Sequence, residues 1–180
     1  MELRVEPVCD KDRERAFEVI RAAGRWLQSR GLRQRIGQTC PVTWLDWQRS
    51  GANFAVYRES DPVGVFSLPR AAVCDWPGYD DRPVCWLRAL ATHPRWRGKG
   101  IGTMAVRAAL ARTRPGQVLY LDCVSGFLPG YYGRFGFQVL DRQPLPVPGE
   151  PPLDITLMGC PPTLQTADSG LKRAPAADQN

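Results

Sequence analysis

The sequence predicts an α/β fold, a mixed and mostly antiparallel central sheet of about six to seven strands with helices on both faces. Three observations predict it. Residues 54–57 and 63–68 are short apolar runs flanking a Glu59-Ser60-Asp61-Pro62 turn, the pattern of an antiparallel hairpin. An apolar run at 84–91 leads through a glycine-rich turn into a helical pattern at 101–112 and then into a further apolar run at 118–123. A crossover helix between two strands predicts that they are parallel neighbours. Finally, Ala16, Phe17, Ile20, Ala23, Gly24 and Leu27 form a stripe at three/four spacing, which predicts a helix over 13–30 with Gly31 as its cap.

The remaining elements follow in order. Leu3, Val5 and Val8 predict a first strand ending near Pro7, and Asp10 or Asp12 can cap the helix that follows. Residues 31–42 read as a loop, with a short helix over 43–50 that carries Trp44, Leu45 and Trp47. Residues 70–83 read as an exposed loop. Pro83 and Pro94 bound the strand at 84–91, and Pro115-Gly116 stops the helix at Arg112. A short helix is expected at 126–135, a strand at 136–140, a proline-rich loop through Pro144, Pro146, Pro148, Pro151 and Pro152, and a last strand at 153–158. Residues 160–180 are polar, with Pro and Ala and without period, the composition of a disordered tail; the folded domain is expected over 1–159.

Composition narrows the function. With 180 residues, the chain suits one domain with a sizeable core. The net charge is +6, and all but Lys11, Lys99 and Lys172 of the 24 basic residues are arginine. No Lys/Arg block or basic–aromatic ladder accompanies that charge, so nucleic acid is not expected as a partner, whereas a polyanionic small molecule is. The six cysteines are scattered without a C-x-x-C pair, and His93 is the only histidine, so no metal site is expected. Cys85 and Cys123 lie in apolar strands and read as small buried hydrophobes. No stretch has the length and apolarity of a membrane span, and Glu2, Arg4 and Glu6 do not fit a leader, so a reducing cytoplasm is the expected compartment.

The stretch Arg97-Gly98-Lys99-Gly100-Ile101-Gly102 carries the chemistry. A glycine turn between a strand and a helix leaves backbone N–H groups unpaired at the positive end of the helix dipole, where an anion is attracted. Glycine keeps side chains out of its way, and Arg97 and Lys99 add charge. Taken alone, three glycines in five residues are also compatible with a flexible turn. The spacing fits neither the Walker nor the Rossmann loop. It resembles the Arg/Gln-x-x-Gly-x-Gly/Ala signature of the GNAT superfamily of N-acetyltransferases, with Arg97, Gly100 and Gly102 at the three signature positions. Trp86 to Pro94 resembles that family's fourth strand and its exit, and Tyr131-Tyr132-Gly133-Arg134-Phe135-Gly136-Phe137 resembles its later Phe/Tyr-Tyr-x-x-x-Gly-Phe element.

The resemblance implies the GNAT fold, acetyl-CoA as cosubstrate, and direct transfer of acetyl to a primary amine of a small molecule or peptide; it also allows a homodimer. Loop residues Arg97, Gly98, Lys99, Gly100, Ile101 and Gly102 would hold the pyrophosphate. Backbone groups of Leu90, Ala91 and Thr92 would hold the pantetheine arm and the acetyl carbonyl. Tyr132 matches the tyrosine that protonates the departing thiolate, with Tyr131 as the neighbouring alternative. Two positions depart from the family pattern. Trp86 stands where many members carry a glutamate base, and Ser125 where many carry an asparagine beside the cofactor. Asp122 at the end of the 118–123 strand is then a candidate base, with Asp80 and Asp81 as others. Trp26, Trp44, Trp47, Trp76 and Tyr79 fall in the variable acceptor-side region, where either core packing or an aromatic cleft accounts for them. The competing reading is a GNAT-fold module that senses acyl-CoA without turnover.

Overall fold

The computed structural model describes residues 2–34, 39–70, 76 and 85–162. The expected disordered tail beyond 162, the acceptor-side candidate Tyr79, the base candidates Asp80 and Asp81, and most of the 70–83 loop lie outside them. Among the described residues, eight strands make up the expected mixed, mostly antiparallel arrangement, divided into two four-stranded sheets. The first sheet has the order β1 (Leu3–Pro7), β2 (Asn53–Arg58), β3 (Asp61–Ser67), β5 (Arg88–Thr92); all its pairings are antiparallel. The second has the order β4 (Cys85–Trp86), β6 (Leu119–Val124), β8 (Glu150–Cys160), β7 (Gln138–Val147). There β4 and β6 are parallel, as the crossover helix requires, and the other pairs antiparallel.

Helices cover both faces of the first sheet. Strand alternation turns Ala55, Tyr57, Val65 and Ala91 toward α1 (Arg13–Ser29), whose Ala16, Phe17, Ile20 and Ala23 are buried against them. Val56 and Phe66 face the other way and meet Ile101, Ala105, Val106 and Ala109 of α3 (Ile101–Arg112). Each large apolar side chain sequestered in this way contributes about 1.5–3 kcal/mol. The face of the second sheet that continues this core carries Leu119, Leu121 and Met158, and α4 (Phe127–Gly133) adds Tyr132 to it. Its opposite face is an aromatic layer of Trp86, Tyr120 and Trp76. Trp76 is only 1% exposed, so this part of the expected exposed loop is core. Cys85 and Cys123 are buried.

Four further expectations are corrected. Helix α2 (Pro41–Arg49) starts two residues before the expected Thr43, because proline at the first helical position lacks only an N–H that would be unpaired there anyway. The fourth helix is shorter than 126–135. Strand β7 continues through Pro144 and Pro146, where a loop was expected, and β8 starts at Glu150 rather than Leu153. Prolines are tolerated in β7 because it is the edge strand, and its missing N–H groups can face away from β8. The apolar run at 84–91 is the fourth correction: it is two strands belonging to different sheets. Among the described residues, no helix is long and apolar enough to cross a membrane.

Candidate active site

The break in the central strand creates the site. Cys85 and Trp86 pair with Leu119 and Tyr120, and the Leu87 N–H still donates to the Tyr120 carbonyl at 2.8 Å. Ala89 then takes φ 48°, a left-handed conformation that costs a non-glycine residue roughly 1–2 kcal/mol. Beyond it the chain pairs with β3 instead, Val65 opposite Ala91 and Gly64 opposite Thr92. The parallel strands β5 and β6 therefore diverge, and a cavity of about 1060 Å³ lies between the sheets. Ala89, Leu90, Asp122, Cys123 and Tyr132 line it, with Trp47 of α2 on its wall. The His93 N–H donates to the Val63 carbonyl. Strand alternation then turns the N–H groups of Leu90 and Thr92 away from β3, toward the open edge.

The loop that follows is built by local bonds. The backbone N–H of Arg95 donates to His93 Nδ1 at 3.3 Å, starting a 3-10 turn at Pro94–Trp96. Gly98 and Gly100 have φ values of 72° and 79°, which glycine adopts without strain, and a Cβ at either would meet nothing within 4 Å. No side chain caps α3, and the Met104 N–H is the first to bond within the helix, to the Gly100 carbonyl at 2.9 Å. The N–H groups of Ile101, Gly102 and Thr103 thus point out of the helix end without helical acceptors. A Cβ on Gly102 would lie 2.9 Å from the Tyr131 hydroxyl and 3.8 Å from Thr92 Oγ1. Tyr131 therefore stands over this first turn. Arg97 does not hang free, because its guanidinium packs on Trp26 of α1, 3.5 Å from the ring centroid. An open, uncapped, glycine-lined helix end with fixed positive charge beside it suits a pyrophosphate.

Tyr132 lies deeper. It is 8% exposed and packs edge-on against Phe137 and Tyr131, with ring centroids 5.9 Å and 5.1 Å away. Burial pushes its phenol well above the ordinary range, and Cys123, Tyr131 and Asp122 push the same way. The hydroxyl thus stays protonated throughout the neutral range. Asp122, across the gap on β6, is 6% exposed in its side chain and forms an ion pair with Arg88 of β5, whose side chain is 13% exposed. Arg88 also lies 4.3 Å over the Trp86 ring. Leu90, Asp122 and Tyr132 share the cavity, whereas Ser125 is tied to β8, its hydroxyl 2.7 Å from that of Thr156. His93 opens onto a separate cleft with Arg15, Asp61 and Trp96, and burial lowers its pKa.

Arg88 is the site residue that sequence reading overlooked. A signal for it existed, since one arginine inside an apolar strand and one aspartate inside its parallel neighbour call for each other. Trp44 and Trp76 belong to the core, Trp47 to the cavity wall, and Trp26 to the support of Arg97. Among the described residues, no group of three or more His, Cys, Asp or Glu side chains converges.

Comparison with known proteins agrees with this geometry. No curated protein matches the chain significantly. Among solved structures, yncA of Salmonella typhimurium, solved with its cofactor acetyl-CoA, superposes with a TM-score of 0.69 at 17% identity, covering 99% of each chain. A GNAT acetyltransferase of Listeria monocytogenes gives 0.67 at 18% identity, over 89% of this chain and 95% of its own. The ribosomal-protein-S18-alanine N-acetyltransferase of Escherichia coli gives 0.64 at 14%, over 96% and 100%. These likenesses establish the fold. The profile of the acetyltransferase (GNAT) family matches residues 16–137, which hold the split strand, the glycine loop and the tyrosine helix together. That span is most of the chain, which belongs to the GNAT acetyltransferases and takes acetyl-CoA as its acetyl donor.

Proposed function

We propose that the protein moves the acetyl group of acetyl-CoA directly to a primary amine of a small molecule or peptide, within the cavity between the two sheets. The observation that carries this reading is the divergence of β5 from β6, which exposes the Leu90 backbone, Asp122 and Tyr132 to one cavity. Bound acetyl-CoA supplies the thioester. The N–H groups of Ile101, Gly102 and Thr103, with Gly98, Lys99 and Arg97 beside them, anchor the pyrophosphate. The backbone N–H on the open edge at Leu90 polarises the acetyl carbonyl, and Ala91 and Thr92 align the arm along β5.

Asp122 takes a proton from the incoming amine, whose nitrogen then bonds to the carbonyl carbon as the carbon–sulfur bond breaks. Tyr132 gives its phenol proton to the departing sulfur. Arg88 holds the Asp122 carboxylate in place across the gap. Ser125 is assigned to shaping the entry to α4, with its contact to the cosubstrate made through the backbone.

The test is a panel of amines incubated with acetyl-CoA and a free-thiol readout. Thiol release that depends on the amine and yields the acetylated product supports transfer. Tight acetyl-CoA binding by calorimetry with no release from any amine would assign the fold to acyl-CoA sensing.

A further inference from the structure

The arginine that opens the glycine loop is held by a ring rather than by a carboxylate. The Arg97 guanidinium lies 3.5 Å from the centroid of the Trp26 ring. Only stacking on the face permits that distance, because the ring's own atoms keep an edge-on group farther off. Arg30, at the end of α1, approaches the same ring at 5.7 Å. Arg21 and Arg25 of this helix pair with Glu14 and Glu18, whereas among the described residues Arg97 and Arg30 form no ion pair.

The difference matters for a phosphate site. A carboxylate would fix Arg97 but cancel its charge and repel the ligand. An aromatic face fixes the guanidinium and leaves its charge in place. Its five N–H donors point outward in the guanidinium plane, away from the ring below, and stay available to phosphate oxygens. The loop itself offers Arg97 little support. Gly98 and Gly100 follow it with positive φ and open surroundings, and a free arginine side chain has much rotamer entropy to lose.

The fold delivers Trp26 to this point. Arg15, Glu18 and Val19 of α1 line one cleft with His93, Arg95 and Trp96, so the helix runs beside the turn that leads into the loop. Trp26 is seven residues beyond Val19, close to two full turns, and so emerges on the same side of α1 about 10 Å further along. The buried stripe of Ala16, Phe17, Ile20 and Ala23 faces the first sheet, which leaves Trp26 half-buried.

We infer that Trp26 is a positioning residue for acetyl-CoA binding: its ring face holds the Arg97 guanidinium where the pyrophosphate arrives. The inference rests on the pyrophosphate lying at loop 97–102, as proposed above, and does not depend on turnover. A preorganised arginine loses less freedom when the ligand binds, so the ring contributes to affinity through Arg97.

The test is calorimetric titration of the full chain with acetyl-CoA. It compares the parent with Trp26→Phe, Trp26→Leu, Arg97→Gln, Trp26→Leu/Arg97→Gln and Gly102→Ala. Phenylalanine keeps a π face, and leucine keeps apolar bulk without one. Trp26→Leu is expected to weaken binding about five- to tenfold, and Trp26→Phe to stay within about threefold of the parent. In the Arg97→Gln background, Trp26→Leu should add little to the loss. Should Trp26→Leu not fold, Trp26→Met takes its place throughout. Equal affinities in the Phe and Leu variants would show that bulk alone matters, and a Leu loss undiminished in Arg97→Gln that Trp26 acts elsewhere; either overturns the inference. Parental affinity in Arg97→Gln overturns it as well. If Gly102→Ala then still binds weakly, the loop keeps its pyrophosphate and only the arginine's role is lost. Parental affinity in both moves the pyrophosphate away from the loop.

Discussion

Arg88 and Asp122 join strands of two different sheets by an ion pair across the gap where the central strand splits, with both side chains nearly sequestered from water. A buried pair of this kind contributes little over an apolar replacement of the same volume, yet breaking it is costly because one charge stays behind. Asp122→Leu is therefore expected to lose about 3–5 kcal/mol of unfolding free energy, and Arg88→Met/Asp122→Leu to regain most of it. Urea denaturation at neutral pH reads both. A double variant no more stable than the single would show that the pair is not what joins the strands.

The approach of the Tyr131 hydroxyl to Gly102 yields a second prediction. Gly102→Ala would place a methyl 2.9 Å from that oxygen, forcing Tyr131 or the loop to move. Acetyl-CoA affinity is expected to drop by about tenfold, the equivalent of one displaced phosphate contact. In Gly102→Ala/Tyr131→Phe the nearest ring carbon would sit at 3.9 Å, an ordinary contact, so part of the affinity should return. Calorimetry on the parent and three variants closes the cycle. Additive losses would mean that the two residues act independently.

The loop and α3 were legible in the sequence because their physics is local. Gly98 and Gly100 take the positive φ that glycine adopts freely, Gly102 leaves no room for a Cβ beneath Tyr131, and Ile101, Ala105 and Ala109 repeat at helical spacing. The split at Ala89 was not legible. Trp86, Leu87, Leu90 and Ala91 read as a continuous run, and a left-handed alanine carries no compositional mark. It is imposed by the competition between β3 and β6 for the same strand. Pro144 and Pro146 misled in the opposite direction, because proline excludes a central strand but not an edge one, and strand order is set by tertiary pairing. Arg88 escaped notice for a related reason, since its meaning depends on Asp122 being its neighbour.

A third prediction concerns alkaline stability. Tyr57 donates to Asp12 at 3.3 Å, and burial, followed by the Asp12 charge, pushes its phenol up to about 12. In the unfolded chain the phenol ionises near pH 10. The folded state holds the proton more tightly, so this contribution is complete below pH 10 and is lost as pH rises through 12. Cys123, pushed up to about 12 by burial, adds a decline that starts near pH 9. Urea midpoints measured from pH 8 to 11 should fall steadily. Tyr57→Phe should cost about 1 kcal/mol at pH 8 and flatten the slope above pH 10. An unchanged slope would show that Tyr57 titrates normally.

The last prediction tests the acid. Tyr132 is buried beside Phe137 and faces the cavity, so its hydroxyl is expected to matter when charge develops on the departing sulfur and little before. Tyr132→Phe keeps the ring and its edge-on packing, so stability should change by no more than about 1 kcal/mol. With any acceptor that turns over, kcat should fall roughly ten- to a thousandfold while KM for acetyl-CoA holds nearly constant. Tyr131→Phe, by contrast, should raise KM for acetyl-CoA and spare kcat, because its hydroxyl stands over the α3 end rather than in the cavity. The pH profile gives an independent check. Since burial raises the Tyr132 phenol above its ordinary value near 10, kcat of the parent should show no falling limb below pH 10 from loss of this proton. A Tyr132→Phe enzyme as fast as the parent would move the proton donor to Tyr131 or water, and a Tyr131→Phe enzyme slow in kcat would decide between them.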